Sequence, residues 1–139
     1  LLSTIVEQLL PLTTLITPNS EEARRLTGHQ TLSDCAKRLQ SLGADHVLIT
    51  GTHEATALVE NRLWMADGVM ETFHWQRLPH SYHGSGCTLA SAIAALLAQG
   101  VDLFSAVSEA QDYTWQSLEA AYRPGQGQFN PARLFWMDA

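Results

Sequence analysis

The uninterrupted apolar run Val47–Leu48–Ile49, framed by His46 and Thr50, constrains the fold more than any other segment of this chain. A strand without polar alternation has no face to give to water, and such strands belong to parallel sheets covered by helices. The neighbouring segments suit that architecture. Leu2–Leu10 carries Ile5, Val6, Leu9 and Leu10 at helical spacing and is expected to stop at Pro11. Thr13–Thr17 is a β-branched run that predicts a strand before Pro18. Ser20–Thr27 reads as a helix closed by Gly28, and a second helix, capped by Ser33 or Asp34, runs through Leu42 to Gly43. Ala57–Glu60 and Leu63–Ala66 flank Asn61 and Arg62 and read as a hairpin, with a further strand over Met70–Trp75. Thr88–Gln99 and Leu103–Tyr122 read as helices, the latter striping Phe104, Val107, Trp115 and Leu118 along one side. This alternation predicts one α/β unit over residues 1–139, with a mostly parallel sheet between helices.

Charge and cysteine usage exclude several classes. A net charge of −6 and the lack of a dense basic run argue against a nucleic-acid partner. No apolar stretch approaches membrane-spanning length, Ser91–Ala98 being locally very apolar but short. The two cysteines, Cys35 and Cys87, lie far apart in different contexts, which points to free thiols in a reducing, cytoplasmic setting.

The segment His83-Gly84-Ser85-Gly86-Cys87 opens the long apolar helix. Glycines on either side of a small hydroxyl residue let backbone N–H groups converge, and the helix N-terminus adds partial positive charge, so the turn suits a phosphate. A thiol in a helix's first turn is favoured as thiolate. The duller alternatives are a strand-to-helix connection with glycines chosen for geometry, and a cysteine that merely packs. The turn is neither a GxxxxGK[ST] loop nor a GxSxG nucleophile elbow. Asn19 and Glu22 form an N-x-x-E pair at a strand-to-helix junction. That pair is either a capping box or an amide and carboxylate orienting hydrated magnesium. Thr50, Gly51 and His53 follow a buried strand, at the end where α/β folds place ligands. His80 and His83 lack the company a zinc site needs. The four tryptophans are scattered and expected to pack, and Arg123–Gln128 reads as a loop.

The strings LITPNSEEARRLTG, LGADHVLITGTH and SYHGSGCTLASAIAALLAQG, in this order and spacing, resemble the hydroxymethylpyrimidine/phosphomethylpyrimidine kinases of thiamine biosynthesis, within the ribokinase-like superfamily. The resemblance runs from about Leu9 to Arg133. It implies the C-terminal portion of a three-layer α/β/α ribokinase-like fold, a single partial domain forming the nucleotide-binding and catalytic half of a kinase about twice this size. It implies ATP-dependent phosphorylation of 4-amino-5-hydroxymethyl-2-methylpyrimidine and its monophosphate. A pyridoxal-type kinase and a non-catalytic nucleotide-binding module are the alternatives. By motif match, Gly84, Ser85 and Gly86 would form the anion hole and Cys87 would be the catalytic base. Thr50, Gly51 and His53 would contact ATP, and Asn19 and Glu22 would hold Mg2+ through water. The resemblance leaves a homodimer open. The chain departs from the family in carrying Thr50 where lysine is common, and Tyr82 where threonine is commoner.

Overall fold

Val47, Leu48 and Ile49 are fully buried in β2 (His46–Ile49), which lies between β1 (Leu15–Ile16) and β3 (Val59–Trp64) in a four-stranded sheet completed by β4 (Met70–Trp75). The computed structural model describes residues 1–137, and the chain divides into two units, Leu1–Arg77 and a second from Leu78 onward.

In the first unit only β1 and β2 are parallel, while β2–β3 and β3–β4 are antiparallel. The expectation of a mostly parallel sheet therefore holds for one of the three strand pairings among the described residues. The expected hairpin turn at Asn61 and Arg62 is also corrected. β3 runs straight through both residues, which pair with Phe73 and Thr72 of β4. The turn lies instead at Met65–Val69, where Met65 N donates to Val69 O at 2.9 Å and Asp67 Oδ1 accepts from Val69 N. Asn61 has turn propensity, but its side chain is buried and accepts a hydrogen bond from Gly51 N, so a long-range contact overrides the local preference.

The helical segments follow cap chemistry. α1 (Leu2–Thr4) continues through a wider turn, Ile5–Leu9, into a 3-10 turn, Leu10–Leu12. Pro11 does not end the helical path as expected, because at the start of that last turn its missing N–H is not needed. α2 (Ser20–Thr27) is capped by Asn19 and ends at Gly28. α3 (Leu32–Ser41) is capped by Thr31, not by Ser33 or Asp34: Thr31 Oγ1 accepts from Asp34 N and donates to the Asp34 carboxylate at 2.6 Å. Leu10, Ala23, Cys35, Ala36, Leu39, Val47 and Ile49 close one apolar core between these elements.

The second unit is built on α4 (Ser85–Ala98) and α5 (Leu103–Glu119), the latter capped by Asp102, whose side chain accepts from Ser105 N at 3.0 Å. The buried face of α5 is Ala106, Val107, Ala110, Gln111, Thr114 and Ser117. Of the expected apolar stripe only Val107 belongs to it, and Phe104 is exposed. Small residues carry this face because they let two helix backbones approach, a requirement that hydrophobicity alone does not report. Beyond α5 the chain returns past Ser81–His83, with His83 N donating to Phe129 O and Phe129 N to Ser81 O. His80 stacks on the Phe129 ring at 4.0 Å. Among the described residues no helix is long and apolar enough to cross a membrane.

Candidate functional site

The residues singled out by sequence fall into two clusters, one in each unit. In the first, β1 and β2 end side by side: Asn19 and Thr50 form an isolated parallel bridge, Ser20 N donates to Thr50 O, and Thr50 N to Pro18 O. This bridge brings the N-terminus of α2 beside the loop that carries Thr50, Gly51 and His53. Asn19 and Glu22 form the capping box, with Glu22 N donating to Asn19 Oδ1 at 2.8 Å and Asn19 N to Glu22 Oε2 at 2.9 Å. One carboxylate oxygen of Glu22 remains outside the box, and the residue is exposed. Among the described residues no group of three His, Cys, Asp or Glu side chains gathers to hold a metal ion. This donor set suits a hydrated cation rather than one ligated directly.

The loop after β2 is tightly held. Gly51 is buried, and a Cβ on it would lie 2.1 Å from Glu60 O, so strand β3 leaves room only for hydrogen there. Glu54 N donates back to Gly51 O, leaving Thr52 and His53 exposed at the tip. Three residues absent from the sequence reading fasten this loop. Arg24 of α2 meets the Glu54 carboxylate with both terminal nitrogens, at 2.7 and 3.0 Å. Arg77 donates to the carbonyl oxygens of Thr52, Glu54 and Thr56. The hydrogen bonds from Arg24, aided by the guanidinium charge, lower the Glu54 pKa to about 2.

The second cluster is the turn into α4. Gly84 is the N-cap residue, with φ of +86°, a left-handed conformation that disfavours a side chain. The helix begins at Ser85, three residues earlier than expected, so Ser85, Gly86 and Cys87 all lie in its first turn. Their N–H groups precede the first helical hydrogen bond, from Thr88 N to Gly84 O at 3.0 Å, and point out of the helix end. A Cβ on Gly86 would meet nothing within 4 Å. Cys87 is exposed, whereas Cys35 is buried against the Thr27 hydroxyl at 3.3 Å. The turn thus pairs open backbone donors and a helix terminus with an accessible thiol, an arrangement able to hold an oxyanion and accept a proton beside it.

The family model for phosphomethylpyrimidine kinase matches residues 1–132. The hydroxymethylpyrimidine/phosphomethylpyrimidine kinase of Haemophilus influenzae is 38% identical over 135 residues, covering 90% of this chain and 50% of that protein. The kinase of the same description from Mycobacterium tuberculosis H37Rv is 40% identical, covering 92% of this chain and 49% of its own length. The ADP complex of Bacillus subtilis pyridoxal kinase superposes with a TM-score of 0.87 at 28% identity, covering 95% of this chain and 52% of that one. This likeness gives the chain a ribokinase-like α/β fold. The chain spans about half the length of the curated relatives it matches. Matched over nearly all its residues, it belongs to the phosphomethylpyrimidine kinase family.

Proposed function

We propose that this chain is the nucleotide-binding and catalytic half of a cytoplasmic, ATP-dependent kinase. Its substrates would be 4-amino-5-hydroxymethyl-2-methylpyrimidine and the monophosphate of that alcohol. The observation that carries the reading is the exposed Cys87 thiol in the first turn of α4, beside the open N–H groups of Ser85 and Gly86. Family membership supports it, and the free thiols suit a reducing compartment. Gly84, Ser85 and Gly86 form the anion hole. As the substrate oxygen attacks the γ-phosphorus, the bond to the ADP oxygen breaks and the alcohol proton passes to Cys87 Sγ. Charge developing on the phosphoryl oxygens is met by donors already in position, the main source of catalysis in phosphoryl transfer. Thr50 and His53 would contact the ATP phosphates, while Gly51, buried with its N–H given to Asn61, would shape the loop that presents them. Asn19 and Glu22 would hold hydrated Mg2+, which when bound would supply positive charge to the phosphates.

The Cys87→Ala variant of the intact protein tests the base. Transfer to the alcohol is expected to fall by two to four decades, on the order of general-base contributions, while transfer to the monophosphate is retained, since that acceptor is already anionic. Equal loss of both transfers, or of neither, would remove Cys87 from the role. The structural likeness to pyridoxal kinase keeps a second substrate class in view. Turnover of hydroxymethylpyrimidine against pyridoxal by the intact protein decides between them.

A further inference from the structure

We infer that the guanidinium of Arg133 is an anion-contacting group of the Gly84–Cys87 turn, meeting phosphate oxygens held there. The inference rests on the kinase reading above and adds to it a residue that no motif contains. Arg133 follows α5 by more than a dozen positions, yet its head lies on the start of α4. Nε donates to Thr88 Oγ1 at 3.0 Å, and Thr88 Oγ1 donates to Gly84 O at 2.8 Å. A Cβ on Gly84 would come within 3.0 Å of Arg133 Nη2. The positive group therefore stands directly over the N-cap residue. Its Nη1 and Nη2 N–H groups meet no acceptor among the described residues, and Arg133 lines the same open cleft as Cys87 and Thr88.

A like-charged pairing of guanidinium and helix N-terminus is unfavourable in the absence of an anion. The chain nevertheless anchors the backbone that carries this exposed arginine. Tyr113 Oη donates to Arg133 O at 3.0 Å, Ala132 N donates to Ser117 O at 2.8 Å, and Pro131 is fully buried. The tail is thus anchored on α5 in a way that delivers the arginine head to α4. A planar fork with free N–H groups beside open backbone donors suits tetrahedral phosphate oxygens. Glu109 also lines the cleft, and Arg133 is the cation among its lining residues. The phosphate could belong to the nucleotide or to the substrate monoester.

The intact protein and its Arg133→Gln and Arg133→Lys variants, titrated calorimetrically with ADP and with hydroxymethylpyrimidine phosphate at low and high salt, test the assignment. Arg133→Gln is expected to weaken at least one titrant by about tenfold, the size of one charge-assisted contact. Lysine should recover part of the loss, and the difference from wild type should shrink at high salt. Loss confined to ADP assigns the phosphate to the nucleotide, and loss confined to the monoester assigns it to the acceptor. Unchanged affinities overturn the inference. So does an equal, salt-independent loss in both variants, which would mark a purely structural strap. A wild type that binds ADP but transfers no phosphoryl group to the pyrimidine overturns the kinase reading, while the affinity comparison still decides Arg133.

Discussion

Arg24 and Glu54, thirty residues apart, form a two-pronged ion pair with terminal nitrogens at 2.7 and 3.0 Å from the two carboxylate oxygens. The pair ties α2, which Asn19 and Glu22 open, to the loop that carries Thr50, Gly51 and His53. Arg24 is itself held by a hydrogen bond from Nε to Gln30 O, so its head is ordered before it reaches the carboxylate. A bidentate, pre-ordered pair of this kind exceeds the small contribution of a free surface pair.

Glu54 therefore links stability to pH. Its pKa is lowered from 4.5 to about 2 in the folded protein. A depressed carboxylate contributes stability that is present above its unfolded pKa and is lost as pH falls through the folded value. Glu54→Gln is expected to cost about 1–2 kcal/mol at pH 7, between an exposed pair and a charge-assisted hydrogen bond. The Tm difference between wild type and variant should be constant above pH 5 and close as pH falls from about 4.5 toward 2. A difference that persists undiminished at pH 2 would show that the pair contributes through packing alone.

Arg77 holds the same loop by another route, with one guanidinium meeting three backbone carbonyl groups. Arg77→Lys is not conservative here, because a point charge cannot span acceptors on Thr52, Glu54 and Thr56. Both Arg77→Ala and Arg77→Lys should speed amide exchange across Thr52–Thr56. If the loop meets ATP, they should also raise KM for ATP several-fold, about 1 kcal/mol, with little change in kcat. Unchanged exchange in both variants would show that the loop holds its shape without the arginine.

Whether such contacts can be read from sequence depends on how far their cause extends along the chain. The Asn19–Glu22 capping box spans one helical turn, so its spacing alone announces it. The Gly84–Cys87 turn is equally local, and the helix begins within it rather than at Thr88: serine and glycine are poor helix formers, yet Gly84 in a left-handed conformation caps a helix that already includes them. Asn61 carries turn propensity in the sequence, but its partner, Gly51 N, lies ten residues away and holds it inside β3. Arg24, Arg77 and Arg133 act on groups between 21 and 45 residues distant, and no periodicity or cap pattern encodes such pairings. The local motifs are therefore legible in the sequence, and the residues that hold them in place are not.

Gly51 illustrates how an inconspicuous position becomes indispensable. Alanine there would place its Cβ 2.1 Å from the backbone oxygen of Glu60, and neither β2 nor β3 can yield without breaking their ladder. Gly51→Ala is expected to cost about 3 kcal/mol or more, at the upper end of overpacking effects. The check is thermal unfolding with soluble yield. A Tm within a degree or two of wild type would mean that the strands separate more readily than their pairing suggests.

Gly86→Ala makes the opposite prediction and separates stability from function. Its Cβ would enter open space, and its backbone is not among the left-handed glycines. Exchanging glycine for alanine inside a helix stabilises it by about 0.5–1 kcal/mol, so Tm should stay level or rise. The added methyl would occupy the space through which an anion reaches the N–H groups of Ser85, Gly86 and Cys87. Losing a preorganised donor of this type costs about two to three decades in turnover, and kcat/KM for phosphoryl transfer should fall toward that range. A variant more stable than wild type and far less active would tie the open space at Gly86 to the phosphate. Wild-type activity in Gly86→Ala would show that no phosphate oxygen comes close to this turn, and the anion-hole assignment would fall with it.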